Sequence, residues 1–241
     1  MVKMRKGIAL LELIFSIVII AITLMSVPNL IQSTSSASKE VITQESVSNA
    51  ASYANMIMST FWDENCSNPK YENPIVYVQK EDPDLEELNV SGILLGLRIG
   101  SAQTTSRRFR NDLSGNRLTA SPTLTQEASD GEADDIDDYN GKSVTLVYRE
   151  NTTVQKGDYK DISIRLSSTV NYISDLANSG YNKQTVLFNN PFDPAKIETQ
   201  STNIKLITVT LSSTNDSNKS IVLRAFSCNI GSTKLKERLF N

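Results

Sequence analysis

Hydrophobic and polar positions fall into three regimes along the chain. From Ile8 to Val27 the residues are almost uniformly apolar, and Glu12 is the only ionisable side chain among them. About twenty residues at roughly 1.5 Å each match the roughly 30 Å hydrocarbon core of a bilayer, so this run predicts a membrane-spanning helix. From Pro28 to Trp62 the pattern changes. Leu30/Ile31, Val41/Ile42, Ala50/Ala51, Tyr53/Ala54, Ile57/Met58 and Phe61/Trp62 recur at helical spacing, with Ser, Thr, Gln and Lys between them. That spacing predicts an amphipathic continuation of the same helix. Pro28 has no backbone donor, so a kink rather than a stop is expected there. The turn formers and two prolines of "DENCSNPKYENP", Asp63 to Pro74, end the helix.

The third regime alternates with a period of two. "PIVYV" (Pro74 to Val78), "GILLGLRIG" (Gly92 to Gly100), "KSVTLVY" (Lys142 to Tyr148) and "DISIRLSSTVNYI" (Asp161 to Ile173) are candidate strands. The clearest pair is "NIKLITVTLSS" (Asn203 to Ser213) and "KSIVLRAFSCNI" (Lys219 to Ile230). Both are rich in β-branched residues and "TNDSN" joins them, which predicts an antiparallel hairpin. The Ser/Thr-rich stretch from Gln103 to Asp130 predicts a long irregular loop, and "TKLKERLF" near the C-terminus a short amphipathic helical turn. The fold class expected is α+β: a long N-terminal helix, transmembrane then amphipathic, packed on an antiparallel β-sheet head. The segments are a basic leader (1–7), a transmembrane helix (8–27), its amphipathic continuation (28–62) and a β-rich head (63–241).

Charge sharpens this picture. The 241 residues carry 24 basic and 27 acidic side chains, and Lys3, Arg5 and Lys6 crowd into the first seven positions. With those three set aside, 21 basic residues face 27 acidic ones, a net charge of −6. The basic start places the N-terminus on the cytoplasmic side by the positive-inside bias, and the acidic body across the membrane in the periplasm. A secretory signal peptide, with Ser35-Ser36-Ala37 near its cleavage point, is the competing interpretation. The apolar run is longer than the usual signal core, and its charge argues further for an anchor. An acidic balance gives no basic face for nucleic acid. "RRFR", Arg107 to Arg110, is the one basic cluster with an aromatic, and its default is a solvated loop.

Histidine is absent, which removes Ser–His–Asp and Cys–His catalysis and the usual zinc ligand. No Ser–Lys or carboxylate-pair constellation replaces them, so the expected role is not enzymatic. Cys66 and Cys228 lack CxxC or metal-ligand spacing; in an oxidising compartment they predict one disulfide, against two unrelated buried thiols. Asp130, Glu132, Asp134, Asp135, Asp137 and Asp138 form the densest charge in the chain. A solvated acidic loop is the plain interpretation. Calcium held by Asp134, Asp135, Asp137 and Asp138 is the alternative cofactor site, although the spacing does not fit an EF-hand loop. A hydrolytic carboxylate pair is the remote third.

Glu12 poses the central question, because an unpaired carboxylate in hydrocarbon costs several kcal/mol. Cleavage after Gly7 would create a partner, the new α-amino group of Ile8. Within one helix the two lie too close along the axis to meet comfortably. A neighbouring subunit, shifted along its axis, could offer its amine to this Glu12 and so fix the register between copies.

"KGIALLELIFSIVIIAI" resembles the N-terminal signature of type IV pilins and type II secretion pseudopilins: a basic leader, Gly7 before the cut, an apolar first mature residue, and Glu12 as the fifth. The resemblance implies cleavage after Gly7 by a prepilin peptidase, N-methylation of Ile8, and packing of the 8–27 helix in a filament core. Partners implied are other pilin or pseudopilin subunits, the prepilin peptidase, the inner-membrane assembly platform and the membrane. The chain differs from the family pattern in two ways: Ile8 stands where Phe or Met is commoner, and Pro28 falls one position earlier than in major pilins. A second resemblance covers "DIDDYNGKSVTLVY" and "IVLRAFSCNIG", which are similar to minor pilins of the mannose-sensitive haemagglutinin group. The function implied is an assembly subunit of a type IV pilus or type II secretion filament. The alternative is an adhesin or DNA-binding module displayed on a pilus tip, with Arg107 to Arg110 as its candidate contact.

Overall fold

The computed structural model describes residues 6–66, 74–109, 115–126, 131–148, 162–213 and 220–232. The chain divides into two compact units, Met1–Ser48 and Asn49–Asn241. Helix α1, Lys6–Ser59, has 54 residues and runs through Pro28 without interruption.

In the first unit, every residue from Leu10 to Val41 is exposed, including the whole apolar run. This helix is long and apolar enough to cross a membrane. Its hydroxyls turn back onto its own carbonyls: Ser16 donates to Glu12 O at 2.8 Å, Thr23 to Ile20 O at 2.9 Å and Ser26 to Thr23 O at 2.9 Å. Small polar side chains so arranged present no unsatisfied donor to an apolar surrounding.

The second unit begins with the last turns of α1. Ala50, Ala54 and Ile57, spaced along one helical face, are buried. The helix ends at Ser59, short of the expected Trp62, because the backbone changes partners. Phe61 N–H donates to Asp134 O at 3.1 Å and Ile136 N–H donates to Phe61 O at 3.0 Å. Thr60 Oγ1 donates to Ile57 O at 2.7 Å and takes up one of the helix's terminal carbonyls.

Two antiparallel sheets follow. β1 (Glu87–Val90) and β2 (Ile93–Arg98) form a hairpin whose two-residue turn, Ser91 and Gly92, has φ of 53° and 85°. Positive φ at both positions is what a tight hairpin of native twist requires. The larger sheet contains β3 (Ser143–Tyr148), β4 (Ile162–Ile173), β5 (Ile197–Glu198), β6 (Ile204–Ser213) and β7 (Ser220–Cys228). Its order is β3-β4-β6-β7, with β5 also paired to β4. The expected hairpin is β6–β7; its connecting residues lie outside the described residues, as does "TKLKERLF".

One face of this sheet is the core. Ile164, Leu166, Val170 and Tyr172 of β4 alternate inward, opposite Ile207, Val209 and Leu211 of β6, and all are buried. Tyr53 of α1 reaches the same face, its hydroxyl 3.3 Å from Ser168 Oγ. "PIVYV" is not a strand. It makes only single bridges, Ile75 to Phe109 and Tyr77 to Thr119. Both backbone polar groups of Val76 are taken by one side chain: its N–H donates to Asn229 Oδ1 at 3.1 Å, and Asn229 Nδ2 donates to its carbonyl at 2.7 Å. A side-chain amide thus stands in for a neighbouring strand.

Candidate functional site

Gly7 and Ile8 lie in the first turn of α1. Glu12 follows on the exposed apolar segment, and none of the ion pairs among the described residues involves it.

The second concentration of chemistry is in the head. The expected solvated loop at Asp134 to Asp138 turns inward: Asp134 remains exposed, but Asp135, Asp137 and Asp138 are buried in a single 3-10 turn and its approach. Asp130 lies outside the described residues. The carboxylate of Asp138 accepts from the Asp134 N–H at 3.0 Å, and Asp135 Oδ1 accepts from the Asp137 N–H at 2.7 Å and the Asp138 N–H at 3.1 Å. Among the described residues no group of three or more His, Cys, Asp or Glu side chains is arranged to hold a metal ion. The cation that Asp137 meets is an ammonium.

That ammonium belongs to Lys205 on β6, which is 0% exposed. Its Nζ donates to Trp62 O at 2.6 Å and lies 2.7 Å from Asp137 Oδ1 and 3.4 Å from Asp63 Oδ2. It also stands 4.1 Å from the Trp62 ring centroid and 5.4 Å from that of Tyr172, so two aromatic faces close the site. Asp63 is itself fixed by backbone donors, Asn65 N–H at 3.2 Å and Ser121 N–H at 2.8 Å. Asp63 and Asp137 therefore share one buried ammonium, whose charge also acts on the buried Asp135. Burial, above all, raises Asp137 to about 8, with Asp135 and Asp63 adding to the rise and Lys205 opposing it. Burial likewise raises Asp135 to about 6, against the pull of Lys205.

The sequence pattern carried a signal for Lys205 that charge density hid. Lys205, Ile207, Val209 and Leu211 occupy one face of β6, and a lysine in that series is a core lysine. Asp63 gave no such signal, lying in what looked like a helix-ending turn.

A second buried network ties the small sheet to the large one. Arg98 of β2 donates to Asn203 Oδ1 at 2.8 Å and Asn229 O at 3.0 Å, and Asn203 Nδ2 donates to Asp175 Oδ2 at 2.7 Å. Burial raises Asp175 and lowers Arg98. The remaining sequence candidates separate. Cys66 and Cys228, the expected disulfide pair, line the same cleft of about 140 Å³ and are free thiols in this structure. Burial pushes the Cys66 thiol up to about 12 and also raises Cys228. Within "RRFR", Arg107 is exposed, whereas its neighbours are engaged. Phe109 is buried and stacked on Tyr77 at 4.8 Å, and Arg108 donates to Gln103 O at 2.9 Å and Thr105 O at 3.3 Å. Arg110 lies outside the described residues.

Two outcomes follow from the ammonium site. Lys205→Met removes the cation and leaves Asp63 and Asp137 uncompensated, which is expected to cost the head about 3–5 kcal/mol in a chemical denaturation experiment. The second concerns pH. A carboxyl raised from 3.8 to about 6 binds its proton more tightly in the folded state. Its stabilising share is therefore complete below about pH 4 and is lost as pH rises through about 6. Asp135→Asn should flatten the fall in unfolding free energy across that window, measured by denaturation at several pH values. The chain matches no family model, no curated protein and no solved structure with which it was compared.

Proposed function

We propose that this chain is an assembly subunit of a type IV pilin-like filament, either a pilus or a type II secretion filament, and that it acts by packing rather than by catalysis. The observation that carries this reading is the α1 segment after Gly7. From Leu10 to Val27 its apolar side chains are all exposed, the hydroxyls of Ser16, Thr23 and Ser26 bond to its own carbonyls, and the one carboxylate of that run, Glu12, has no cation partner among the described residues. Such a surface suits lipid before assembly and the helices of neighbouring subunits after it. The resemblance of "KGIALLELIF" to the prepilin signature supplies the missing cation: the Ile8 amine exposed by cleavage, offered by an adjacent subunit.

On this reading a prepilin peptidase cuts after Gly7 and Ile8 is methylated. The anchor holds the N-terminus on the cytoplasmic side of the inner membrane, with the head in the periplasm or on the assembled filament. The inner-membrane assembly platform then lifts the subunit into the filament. The buried Phe109 and engaged Arg108 leave no observation in favour of a DNA-binding tip.

Two variants test the two halves of this reading. Gly7→Ala should block processing, seen as a precursor that does not shift on a gel; a normal shift would argue against cleavage at this point. Glu12→Ala should leave the protein processed and inserted in the membrane but reduce its incorporation into filaments at least tenfold, measured by immunoblot of sheared filaments. Undiminished incorporation would overturn the register role.

A further inference from the structure

Lys205 and its surroundings form more than a structural ion pair. The two nearest carboxylates differ in how they are held. Both oxygens of Asp63 accept backbone N–H groups. Asp137 is bound far less: Oδ1 faces the lysine at 2.7 Å, and the buried Oδ2 has no hydrogen-bond partner among the described residues. Both Lys205 and Asp137 have fully buried side chains, and the rings of Trp62 and Tyr172 flank the ammonium. A nucleophile, an electrophile and a neighbouring proton acceptor are thus enclosed together without solvent.

We propose that Lys205 and Asp137 condense in the folded head to an intramolecular isopeptide bond. Nζ of Lys205 attacks Cγ of Asp137, a C–N bond forms, and the Cγ–O bond breaks. The ammonium brings three protons; one stays on the amide nitrogen and two leave with the departing carboxylate oxygen as water. The condensation is redox-neutral and needs no co-reactant. Asp63 Oδ2, 3.4 Å from Nζ, is placed to accept a proton from the amine and return it to the leaving oxygen.

Three physical features favour the step. Moving a proton from the ammonium to a carboxylate turns a buried ion pair into a neutral amine and acid, which a solvent-free site tolerates better than two charges. The 2.7 Å approach to Oδ1 sets the nitrogen beside the carboxyl carbon. At reacting distances of about 3–3.5 Å, enforced proximity replaces concentration. Exclusion of water also protects the amide from hydrolysis. The rise of Asp137 to about 8 agrees with this, since the protonated acid is the form with a leaving group. The product would tie the 131–141 segment covalently to β6, independently of whether the chain assembles into a filament.

The test is a tryptic peptide map of the full chain, purified in detergent and fully denatured. The expected result is a branched peptide joining the Lys205 and Asp137 segments, lighter than their sum by one water, with no cleavage after Lys205. Asp137→Asn should give the same branched peptide, with ammonia leaving in place of water, and Asp137→Ala should give none. Separate peptides at their unmodified masses from the unaltered chain would overturn the proposal. So would a branch to Asp63, or a water loss confined to one linear peptide, which marks a succinimide. Because the unaltered chain decides the matter, misfolding of a variant does not.

Discussion

The head is organised around one constraint: an ammonium that has lost all its water. Burying a lysine costs several kcal/mol unless it is paired and hydrogen-bonded, so the chain must deliver partners to Lys205 from wherever it can. It delivers them from segments with little regular structure of their own. Trp62 and Asp63 come from just beyond α1, Asp137 from a single 3-10 turn, and Tyr172 from the end of β4. Those irregular segments are positioned by the charge they must meet. The bridge between Phe61 and Asp135 brings two of them together, and Ser121 completes the ring through its hydrogen bond to Asp63.

Much of the regular structure was legible in the sequence, because its cause is local. The 3.6-residue spacing through Ile57 marked α1, and β-branched alternation marked β3, β4, β6 and β7. The failures share a different cause. "PIVYV" has the composition of a strand, but Asn229, distant in sequence, takes the hydrogen bonds of Val76 at its centre. β1 has too little apolar content to stand out and exists as the partner of β2. The acidic run at Asp134 to Asp138 looked solvated because carboxylates usually are; its compensating charge lies on another strand. Local pattern determines which segments are regular, and nonlocal electrostatics determines where the irregular ones go.

The two units handle charge in opposite ways. In the head, carboxylates and cations are enclosed and largely answered within the chain: Lys205 by Asp63 and Asp137, and Arg98 by Asn203 and the Asn229 carbonyl. On the apolar part of α1 the reverse holds, with hydrocarbon uncovered and Glu12 unanswered among the described residues. The assembly role proposed above would answer that exposed surface with other subunits.

The sequence separation inside the ammonium site has a kinetic consequence. Asp63 and Lys205 are 142 residues apart, whereas β6 and β7 are joined by a short connection. Closing the longer loop carries the larger entropic cost, so the β6–β7 pairing can form while Lys205 is still hydrated. Dehydration of the lysine then belongs to the last stage of folding, when the end of α1 and the acidic turn arrive together. In the unfolding direction water must re-enter that site before its partners separate. A centre of this kind acts as a latch: it contributes little to how fast the sheet forms, and much to how slowly the finished head comes apart.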